Sequence, residues 1–373
     1  MAIPFIDLQA QRARLGEPRN QAILAAVASG QWILGPQVAA FEAELAEFAG
    51  VKHAVACANG TDALQLVLMA WGIGPGDAVF VPAFTFCATG EVVPLVGATP
   101  VFVDVLPDTY NLDPASLEAA IAMIKQEGKL TPKAVIPVDL FGQPADYRAI
   151  APIVQREGLK MLCDTAQAFG AKYHGKVTGS LGDAAATSFF PAKPLGCYGD
   201  GGACFTDDDD LAKLLKSVRM HGEGTDRYEN VRIGLNSRLD TIQAVILSHK
   251  LTIFADEIDK RQGVAWRYAE GLSQSNRVQV PHVIEGAVST WAQYVIQVPD
   301  RAKVQADLKA KGIPTAVYYP IPLSEQKGYR HYPSAPTPVS KAISKTVMAL
   351  PMHPYMDAAT QDTIITAVLE SVR

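Results

Sequence analysis

The sequence contains little of what stabilises a secreted or membrane-bound protein. Its five cysteines are scattered and form no CxxC pair, a usage that fits a reducing compartment better than a disulfide framework. No run of apolar residues approaches the roughly 18 that a membrane-spanning helix needs. The first stretch, MAIPFIDLQAQRARL, has no apolar core typical of a signal peptide. These absences predict a soluble cytoplasmic protein with no membrane partner.

Positive charge is scarce as well. Lysine and arginine number 33 against 38 acidic residues, and no basic run appears, so nucleic acid is not an expected partner. The seven histidines show no ligand spacing, and the acidic run at 207–210 precedes LAKLLKSV in the manner of a helix start. We therefore expect no metal site. Hydrophobic residues, by contrast, make up 49% of the 373 positions, enough for a large core and more than one domain.

Short apolar runs alternate with helical stretches through the first half of the chain. The runs that indicate strands are 53–58, 78–82, 100–104, 134–139 and 160–164. Buried strands separated by helices are typical of a mostly parallel sheet covered on both faces. A long helical region runs from about Ser237 to Leu272, and strands and helices then mix. This pattern predicts an α/β protein with a large domain over 1–250 and a smaller α+β domain over 251–373.

Polar residues end several of these runs. They are Asn59, Asp104, Asp139 and Asp164. In parallel sheets ligands bind beyond the carboxyl ends of the strands. We therefore expect these four side chains to face one crevice.

The sequence is organised around Lys193, which lies in the stretch SFFPAKPLGCYGDGG at 188–202. So many glycines and prolines exclude a regular helix or a central strand, and predict a rigid irregular loop. Lys193 stands among aromatic and apolar residues rather than polar ones. Desolvation of this kind lowers a lysine's pKa, and a neutral amine forms a Schiff base with an aldehyde. A solvated loop lysine is the alternative interpretation.

A second stretch, ANGTDAL at 58–64, indicates a strand end that runs into a helix. Gly60 allows close approach of an anion to the helix N-terminus, and the Thr61 hydroxyl adds a donor, which suits a phosphate. Asparagine and threonine are also ordinary capping residues, so this stretch alone leaves both interpretations open. Ser188 and Asn236 are further candidate phosphate donors.

Two further stretches suit a planar cationic ring. Asp164 closes the apolar run at 161–163, and a buried carboxylate there needs a partner such as a protonated pyridine nitrogen. Gln167, in the next turn, is placed to reach a ring oxygen. Phe86 in PAFTFCAT is placed to stack on the ring. A turn-capping aspartate and a core aromatic are the alternatives.

Together these motifs resemble the DegT/DnrJ/StrS family of sugar aminotransferases, which have the aspartate-aminotransferase fold (fold type I) and bind pyridoxal 5′-phosphate. The likeness runs nearly end to end. Its segments are FIDLQ at 5–9, ANGTDALQ at 58–65, PAFTFCAT at 82–89, DTAQAFGA at 164–171, SFFPAKPLGCYGDGGA at 188–203, NSRLDTIQA at 236–244, YPIPL at 319–323 and LPMHPY at 350–355.

The resemblance implies a role for each candidate residue. Lys193 holds the cofactor as a Schiff base, Asp164 pairs with its pyridine nitrogen, and Gln167 lies at its ring oxygen. Phe86 stacks on the ring. The phosphate is held by Gly60, Thr61 and Ser188 of one subunit and Asn236 of the other. The family therefore also implies a homodimer with shared active sites.

The resemblance also implies a reaction. Glutamate donates its amino group, the freed Lys193 amine moves the proton, and a nucleotide-linked keto sugar accepts the amino group in ping-pong transamination. The most similar subgroup acts at C3 of UDP-2-acetamido-2-deoxy-3-oxo-glucuronate for surface-polysaccharide (O-antigen) synthesis. Arg238 is the candidate for the substrate carboxylate, with an interface ion pair as its alternative. Tyr318 and Tyr319 are expected to line the sugar pocket.

Two positions depart from the family pattern on the sugar side. Tyr318 and Ser324 stand where many relatives have histidine. They leave open a dTDP-linked 3- or 4-keto-6-deoxy sugar as substrate. A non-catalytic regulatory member of the family is a further alternative. A dehydratase is disfavoured because those relatives replace the lysine that is present here as Lys193.

Overall fold

The structure is a computed structural model that describes residues 3–226 and 228–373. Its centre is a seven-stranded sheet with the order β1-β9-β8-β5-β4-β2-β3. All neighbours are parallel except β9, which is antiparallel to both β1 and β8. The strands of this sheet are β1 His53–Cys57, β2 Asp77–Pro82, β3 Thr99–Val103, β4 Thr131–Val135, β5 Lys160–Asp164, β8 Ala184–Ser188 and β9 Gly202–Thr206.

Two small sheets accompany the large one. The first contains β6 Lys172–Tyr173, β7 Lys176–Val177 and β10 Ala287–Val288, and the second contains β11 Tyr294–Gln297 and β12 Val347–Leu350. The helices are α1 Leu8–Ala28, α2 Pro36–Ala49, α3 Gly60–Ala70, α4 Cys87–Leu95, α5 Pro114–Glu127, α6 Tyr147–Glu157, α7 Asp209–Val218, α8 Thr241–Leu272, α9 Arg301–Ala310, α10 Pro338–Thr346 and α11 Ala358–Ser371.

The core has two layers because the strands are apolar on both faces. Phe80 packs on the side of α2, α5 and α6, whereas its neighbours Val79 and Val81 pack on the side of α3, α4 and α7. This alternation covers the sheet with helices on both faces. The predicted α/β fold with a mostly parallel sheet is confirmed.

A separate core forms toward the C-terminus. It joins the last turns of α8 to β11, β12, α9 and α11 through side chains such as Tyr268, Tyr294 and Leu308. The expected domain boundary at residue 250 falls inside α8, which runs without interruption from the large core into the smaller one. The division into 1–250 and 251–373 stays a prediction.

Strand β4 is shorter than the apolar run 134–139 predicts at its end. It ends at Val135, since Pro137 has no N–H for the ladder.

Helix α1 begins at Leu8, where Asp7 caps it, and is kinked at Gly16, which has a non-helical φ of 59°; Pro18 keeps helical geometry.

In the described ranges, no helix is both long and apolar enough for a membrane span. Across the same ranges, no three histidine, cysteine or acidic side chains are grouped so that they would hold a metal ion.

Candidate active site

The carboxyl ends of β5 and β8 and the turns that follow them form the candidate site. Asp164 ends β5, and the backbone N–H of Asp139 donates to its carbonyl oxygen at 2.9 Å. Ser188 ends β8 opposite Gly202 of β9. Asp104, expected in the same crevice, instead accepts hydrogen bonds from Val339 N and Ser340 N at 2.9 and 2.8 Å, and so caps α10.

Asp164 is a buried carboxylate, 5% exposed. Its Oδ2 accepts a hydrogen bond of 2.8 Å from Thr89 Oγ1, and its Oδ1 accepts one of 3.1 Å from Ala166 N. Burial raises the pKa of Asp164, while these two hydrogen bonds and the charge of Lys193 lower it. In the described part of the chain no basic side chain forms an ion pair with it, and a buried carboxylate in the charged form needs a cationic partner.

Lys193 lies in the irregular loop between β8 and β9, as the sequence predicts. Its backbone N–H donates to Phe190 O at 2.8 Å, which closes a tight turn around the lysine. Desolvation lowers the pKa of Lys193, and the nearby carboxylate of Asp164 partly restores it. The two groups that the sequence singles out, 29 positions apart, therefore act on each other's charge. A lysine with this shift is better able to act as a neutral amine.

The N-terminus of α3 forms a cradle against Ser188. Asn59 caps the helix by accepting from Asp62 N at 2.8 Å, and its carbonyl oxygen accepts from Ala63 N at 3.1 Å. The N–H groups of Gly60 and Thr61 belong to the first turn, which lacks intrahelical partners. A Cβ at Gly60 would lie 2.5 Å from Ser188 Cβ, so only glycine fits there. The free N–H groups beside a serine hydroxyl suit a phosphate.

A cluster of four aromatic residues, Phe84, Phe86, Tyr318 and Tyr319, lies at one side of the site. Phe86 is 51% exposed, and its ring centroid lies 6.3 Å from that of Tyr319. Tyr319 in turn packs edge to face on Phe84 and Tyr318. Phe86 is thus held on one side by the half-buried Tyr319 and has a large exposed surface, which suits stacking on a planar ring.

Gln167 is more constrained than the sequence indicates. Its Oε1 accepts from Phe141 N at 2.8 Å, and its Nε2 donates to the Tyr319 hydroxyl at 3.0 Å. One Nε2 hydrogen remains for a ring oxygen. The structure thus links Gln167 to the predicted sugar-side residue Tyr319.

Asn236 and Arg238 lie in a neighbouring open pocket of about 390 Å³. Its lining includes Ala58, Gly199, Asn236, Arg238, Asp240 and Gln243. The pocket borders both the phosphate cradle and the end of the Lys193 loop, yet neither Lys193 nor Asp164 lines it. The described contacts therefore do not bring Asn236 and Arg238 to Lys193 of the same chain.

Two residues of the site, Thr89 and Lys250, are absent from the sequence-based candidates, and a third, Asp139, was expected in the crevice without an assigned role. Thr89 holds Asp164, and Asp139 is fully buried beside it. Asp139 Oδ1 accepts from Tyr147 OH at 2.6 Å and from Ala145 N at 2.8 Å, while its Oδ2 has no partner among the described residues. Burial raises the pKa of Asp139 to about 7. Lys250, on α8, contacts the Lys193 loop. In the sequence, only the position of Asp139 at the end of an apolar run indicated that it lies near the site, and no pattern indicated Thr89 or Lys250.

A sheet of this order with a desolvated lysine, a buried carboxylate and a helix-end cradle defines a pyridoxal-phosphate enzyme of fold type I. The chain belongs to the DegT/DnrJ/EryC1/StrS aminotransferase family, whose model matches residues 13–369. The family works with pyridoxal 5′-phosphate. The protein is therefore a pyridoxal-phosphate-dependent sugar aminotransferase.

Individual relatives match over almost the whole chain. The UDP-2-acetamido-2-deoxy-3-oxo-D-glucuronate aminotransferase of Pseudomonas aeruginosa is 50% identical, covering 98% of this chain and 99% of its own. A UDP-N-acetyl-3-dehydro-alpha-D-glucosamine 3-aminotransferase of Acidithiobacillus ferrooxidans is 44% identical, covering 95% and 94%. The crystal structure of a family member from Brucella abortus is 54% identical, covers 99% of both chains and superposes with a TM-score of 0.97.

The residues present fit the cofactor. The buried carboxylate of Asp164, which forms no ion pair among the described residues, suits a protonated ring nitrogen, and the first turn of α3 at Gly60, where only glycine allows the close contact with Ser188, suits the phosphate. Lys193, in the loop that follows β8, has an amine that suits a Schiff base with the cofactor's aldehyde. A solved relative holds the cofactor in its PMP form.

Proposed function

We propose that Lys193 and Asp164 are the catalytic pair, and the observation that carries this is their placement at the same edge of two neighbouring parallel strands, with Asp164 at the end of β5 and Lys193 in the loop that follows β8. Burial lowers the pKa of Lys193 and raises that of Asp164, and the charge of each group opposes the shift of the other. When bound, pyridoxal phosphate supplies an aldehyde carbon that takes up amino groups and a ring that withdraws electrons from it. Asp164 holds the ring nitrogen protonated. Gly60, Thr61 and Ser188 bind the phosphate, Phe86 stacks on the ring, and Gln167 donates to its oxygen.

Lys193 has two tasks in this proposal. Its Nζ would hold the cofactor in the resting enzyme, and its amine, when free, would take up a proton from the Cα of the amino donor. Desolvation, which lowers its pKa, keeps enough of the amine neutral to accept that proton. In the first half-reaction the amine would pass this proton on to the cofactor, and in the sugar half-reaction it would move a proton the other way, onto C3 of the sugar, so that Lys193 ends each half-reaction in the protonation state in which it began.

The substrates proposed are L-glutamate as donor and UDP-2-acetamido-2-deoxy-3-oxo-D-glucuronate as acceptor. The 50% identity to the Pseudomonas aeruginosa enzyme over 98% of the chain supports this acceptor. The C–N bond of glutamate breaks as one water supplies the keto oxygen of 2-oxoglutarate, and a new C–N bond forms at C3 of the sugar as its keto oxygen leaves as water, so no net water is consumed or released. The product suits surface-polysaccharide (O-antigen) synthesis in the cytoplasm.

A carboxylate-bearing sugar needs a cation. Arg238 is partly buried in the 390 Å³ pocket beside Asn236, and its guanidinium group matches a carboxylate in a two-point contact. Tyr318 and Tyr319, packed on one another beside Phe86, are proposed to line the sugar side.

We propose a homodimer in which each subunit's Asn236 reaches the other's cofactor phosphate. Four apolar side chains within ten residues are exposed on this chain, namely Leu24, Val27, Trp32 and Ile33. Apolar surface concentrated in this way is typical of a protein interface. Ile33 also lines the pocket of Asn236 and Arg238, so this surface and the pocket are continuous. Sedimentation equilibrium tests the dimer, and a monomer at micromolar concentration would contradict it.

A product panel tests the function. The purified protein is incubated with amino-labelled glutamate and, separately, the UDP-linked 3-oxo-glucuronate, its analogue without the carboxylate, and dTDP-linked 3- and 4-keto-6-deoxy sugars. Mass spectrometry then measures the label in each sugar. We expect the fastest transfer to the uronate and none with Lys193→Ala. Preference for another sugar would refute the substrate, and no transfer to any would favour the regulatory alternative.

A further inference from the structure

Lys250 is a buried lysine that neither the sequence motifs nor the proposed chemistry uses. It lies on α8, is 2% exposed, and its Nζ donates a hydrogen bond of 2.5 Å to the carbonyl oxygen of Gly196. The same Nζ lies 4.6 Å from the centroid of the Tyr198 ring. Gly196 and Tyr198 both belong to the loop that carries Lys193. The ammonium group of Lys250 therefore connects α8, a helix of the large core, to the loop that carries Lys193.

The Tyr198 ring is held from other directions as well. Arg19 of α1 lies 5.6 Å from the ring centroid, and its Nη1 donates to the Tyr198 hydroxyl at 2.9 Å. Gln243, on α8, accepts from Tyr198 N at 2.9 Å. Among the ion pairs of the described residues, neither Lys250 nor Arg19 takes part. The ammonium of Lys250 is thus offset by a carbonyl dipole and an aromatic face instead of a carboxylate.

Such an arrangement is costly for stability alone. A buried charge without a carboxylate partner loses hydration, and an apolar side chain of similar length would fill the same space without that loss. Desolvation lowers the pKa of Lys250 to about 8. Of the charges that face it, Glu257 and Cys197 raise that pKa and Arg19 lowers it.

Hydrogen bonds and close packing within the loop connect Gly196 to the turn that contains Lys193. Cys197 N donates to Phe189 O at 2.7 Å, and Lys193 N donates to Phe190 O at 2.8 Å. A Cβ at Gly196 would lie 2.6 Å from Phe190 O, so Gly196 packs directly on the residue that closes the lysine's turn. A shift of Gly196 would therefore move the turn that presents Lys193.

We propose that Lys250 is a positioning residue for amino transfer, whose ammonium group holds Gly196 and Tyr198 so that the loop presents Lys193 to Asp164. This inference rests on the proposed role of Lys193. It adds a part of the reaction machinery that touches neither cofactor nor substrate.

Three variants test the proposal. Lys250→Met removes the charge at similar length, Lys250→Arg keeps it, and Lys260→Met is the control because Lys260 lies on the same helix but is half-exposed. For each holoenzyme we would measure kcat, the KM for glutamate, and the pH midpoint of the absorbance band of the Lys193 Schiff base. Amide exchange of residues 190–202 would be measured with and without cofactor.

Lys250→Met is expected to lower kcat by about 10- to 100-fold, since small misplacement of a catalytic group has effects of this size. The KM for glutamate should stay within about threefold, the absorbance midpoint should shift, and exchange should rise in 190–202 with and without cofactor. Lys250→Arg should recover a measurable part of kcat, and Lys260→Met should behave as the parent. Unchanged kcat, or faster exchange throughout the protein without a local excess in the loop, would overturn the proposal.

A second variant covers the case in which Lys250→Met does not fold. Tyr198 is 40% exposed, so Tyr198→Leu removes the ring with little effect on the core. A smaller loss of kcat with faster loop exchange supports the proposal, and parental behaviour contradicts it. If the parent enzyme transfers no amino group at all, the proposed function fails, whereas the exchange data still decide whether Lys250 orders the loop.

Discussion

The Thr89 hydroxyl donates a hydrogen bond of 2.8 Å to Oδ2 of Asp164. It joins the first turn of α4 to the end of β5, across 75 positions of sequence. Because burial raises the pKa of Asp164, this donor is one of the few contacts that favour the charged carboxylate. The charge needed opposite a protonated ring nitrogen thus depends on a residue of a different element.

Thr89→Val removes that donor at nearly constant volume. We expect kcat to fall by about tenfold or more, because a hydrogen bond to a charged group contributes roughly 1.5–3 kcal/mol. The acidic limb of the kcat profile should move to higher pH, since loss of the donor raises the pKa of Asp164. Thr252→Val, at an exposed hydroxyl of α8, is the control. An unchanged rate and profile would show that Thr89 does not support Asp164.

Tyr319→Phe removes only the hydroxyl that Gln167 binds at 3.0 Å, and the ring contacts with Phe84 and Phe86 remain. We expect kcat/KM for the sugar to fall by about tenfold, the size of one neutral hydrogen bond, with little change in melting temperature. Steady-state kinetics with the sugar varied would measure this. A lowered melting temperature with unchanged kcat/KM would mean that the hydroxyl is structural only.

Asp139→Asn should alter how stability depends on pH. The folded-state pKa of Asp139 is about 7, above the ordinary value of 3.8, so between these values the folded protein binds the proton that the unfolded chain releases. The contribution of Asp139 to the free energy of unfolding is therefore largest below pH 3.8 and is lost as the pH rises toward 7. We expect the variant to lose less stability between pH 5 and pH 8, by roughly 2 to 3 kcal/mol. Urea unfolding at both pH values measures the difference, and an identical difference in both proteins would contradict it.

The sequence indicates the local structure of the candidate residues that lie on short continuous stretches. Glycine, proline and capping patterns indicate the irregular loop of Lys193 and the helix start at Gly60 and Thr61, and an apolar run indicates the strand that Asp164 ends. The roles of these residues came from the family resemblance and stay predictions. Helix α1 is harder to predict from the sequence, because glycine and proline both favour the end of a helix. The helix is kinked at Gly16, whereas Pro18 keeps helical geometry.

The remaining parts depend on which side chains meet across elements. Lys250 contacts Gly196 across 54 positions, and Gln167 contacts Tyr319 across 152. No periodicity in either segment indicates the other, since each contact is set by how α8 and the smaller core pack on the sheet. The capping of α10 by Asp104 has the same origin: a polar strand end faces the expected edge, yet a helix from the other end of the chain uses it.

Arg238 tests the substrate. Arg238→Ala should lower kcat/KM for the UDP-linked uronate by about 10- to 100-fold, since it removes a charge-assisted contact. The same variant should change kcat/KM for a dTDP-linked 6-deoxy keto sugar by less than about threefold, because that sugar has no carboxylate to bind. Equal losses on both sugars would assign Arg238 to the subunit interface instead.

The central claim is that Lys193 carries the cofactor opposite Asp164. The holoenzyme, reduced with borohydride and digested, would be mapped by mass spectrometry for the lysine that bears the pyridoxyl group. The structure offers a second lysine of lowered pKa, Lys250, as an internal competitor. We expect the label on Lys193 alone, and none in Lys193→Ala; a label on Lys250, or on neither residue, would contradict the account.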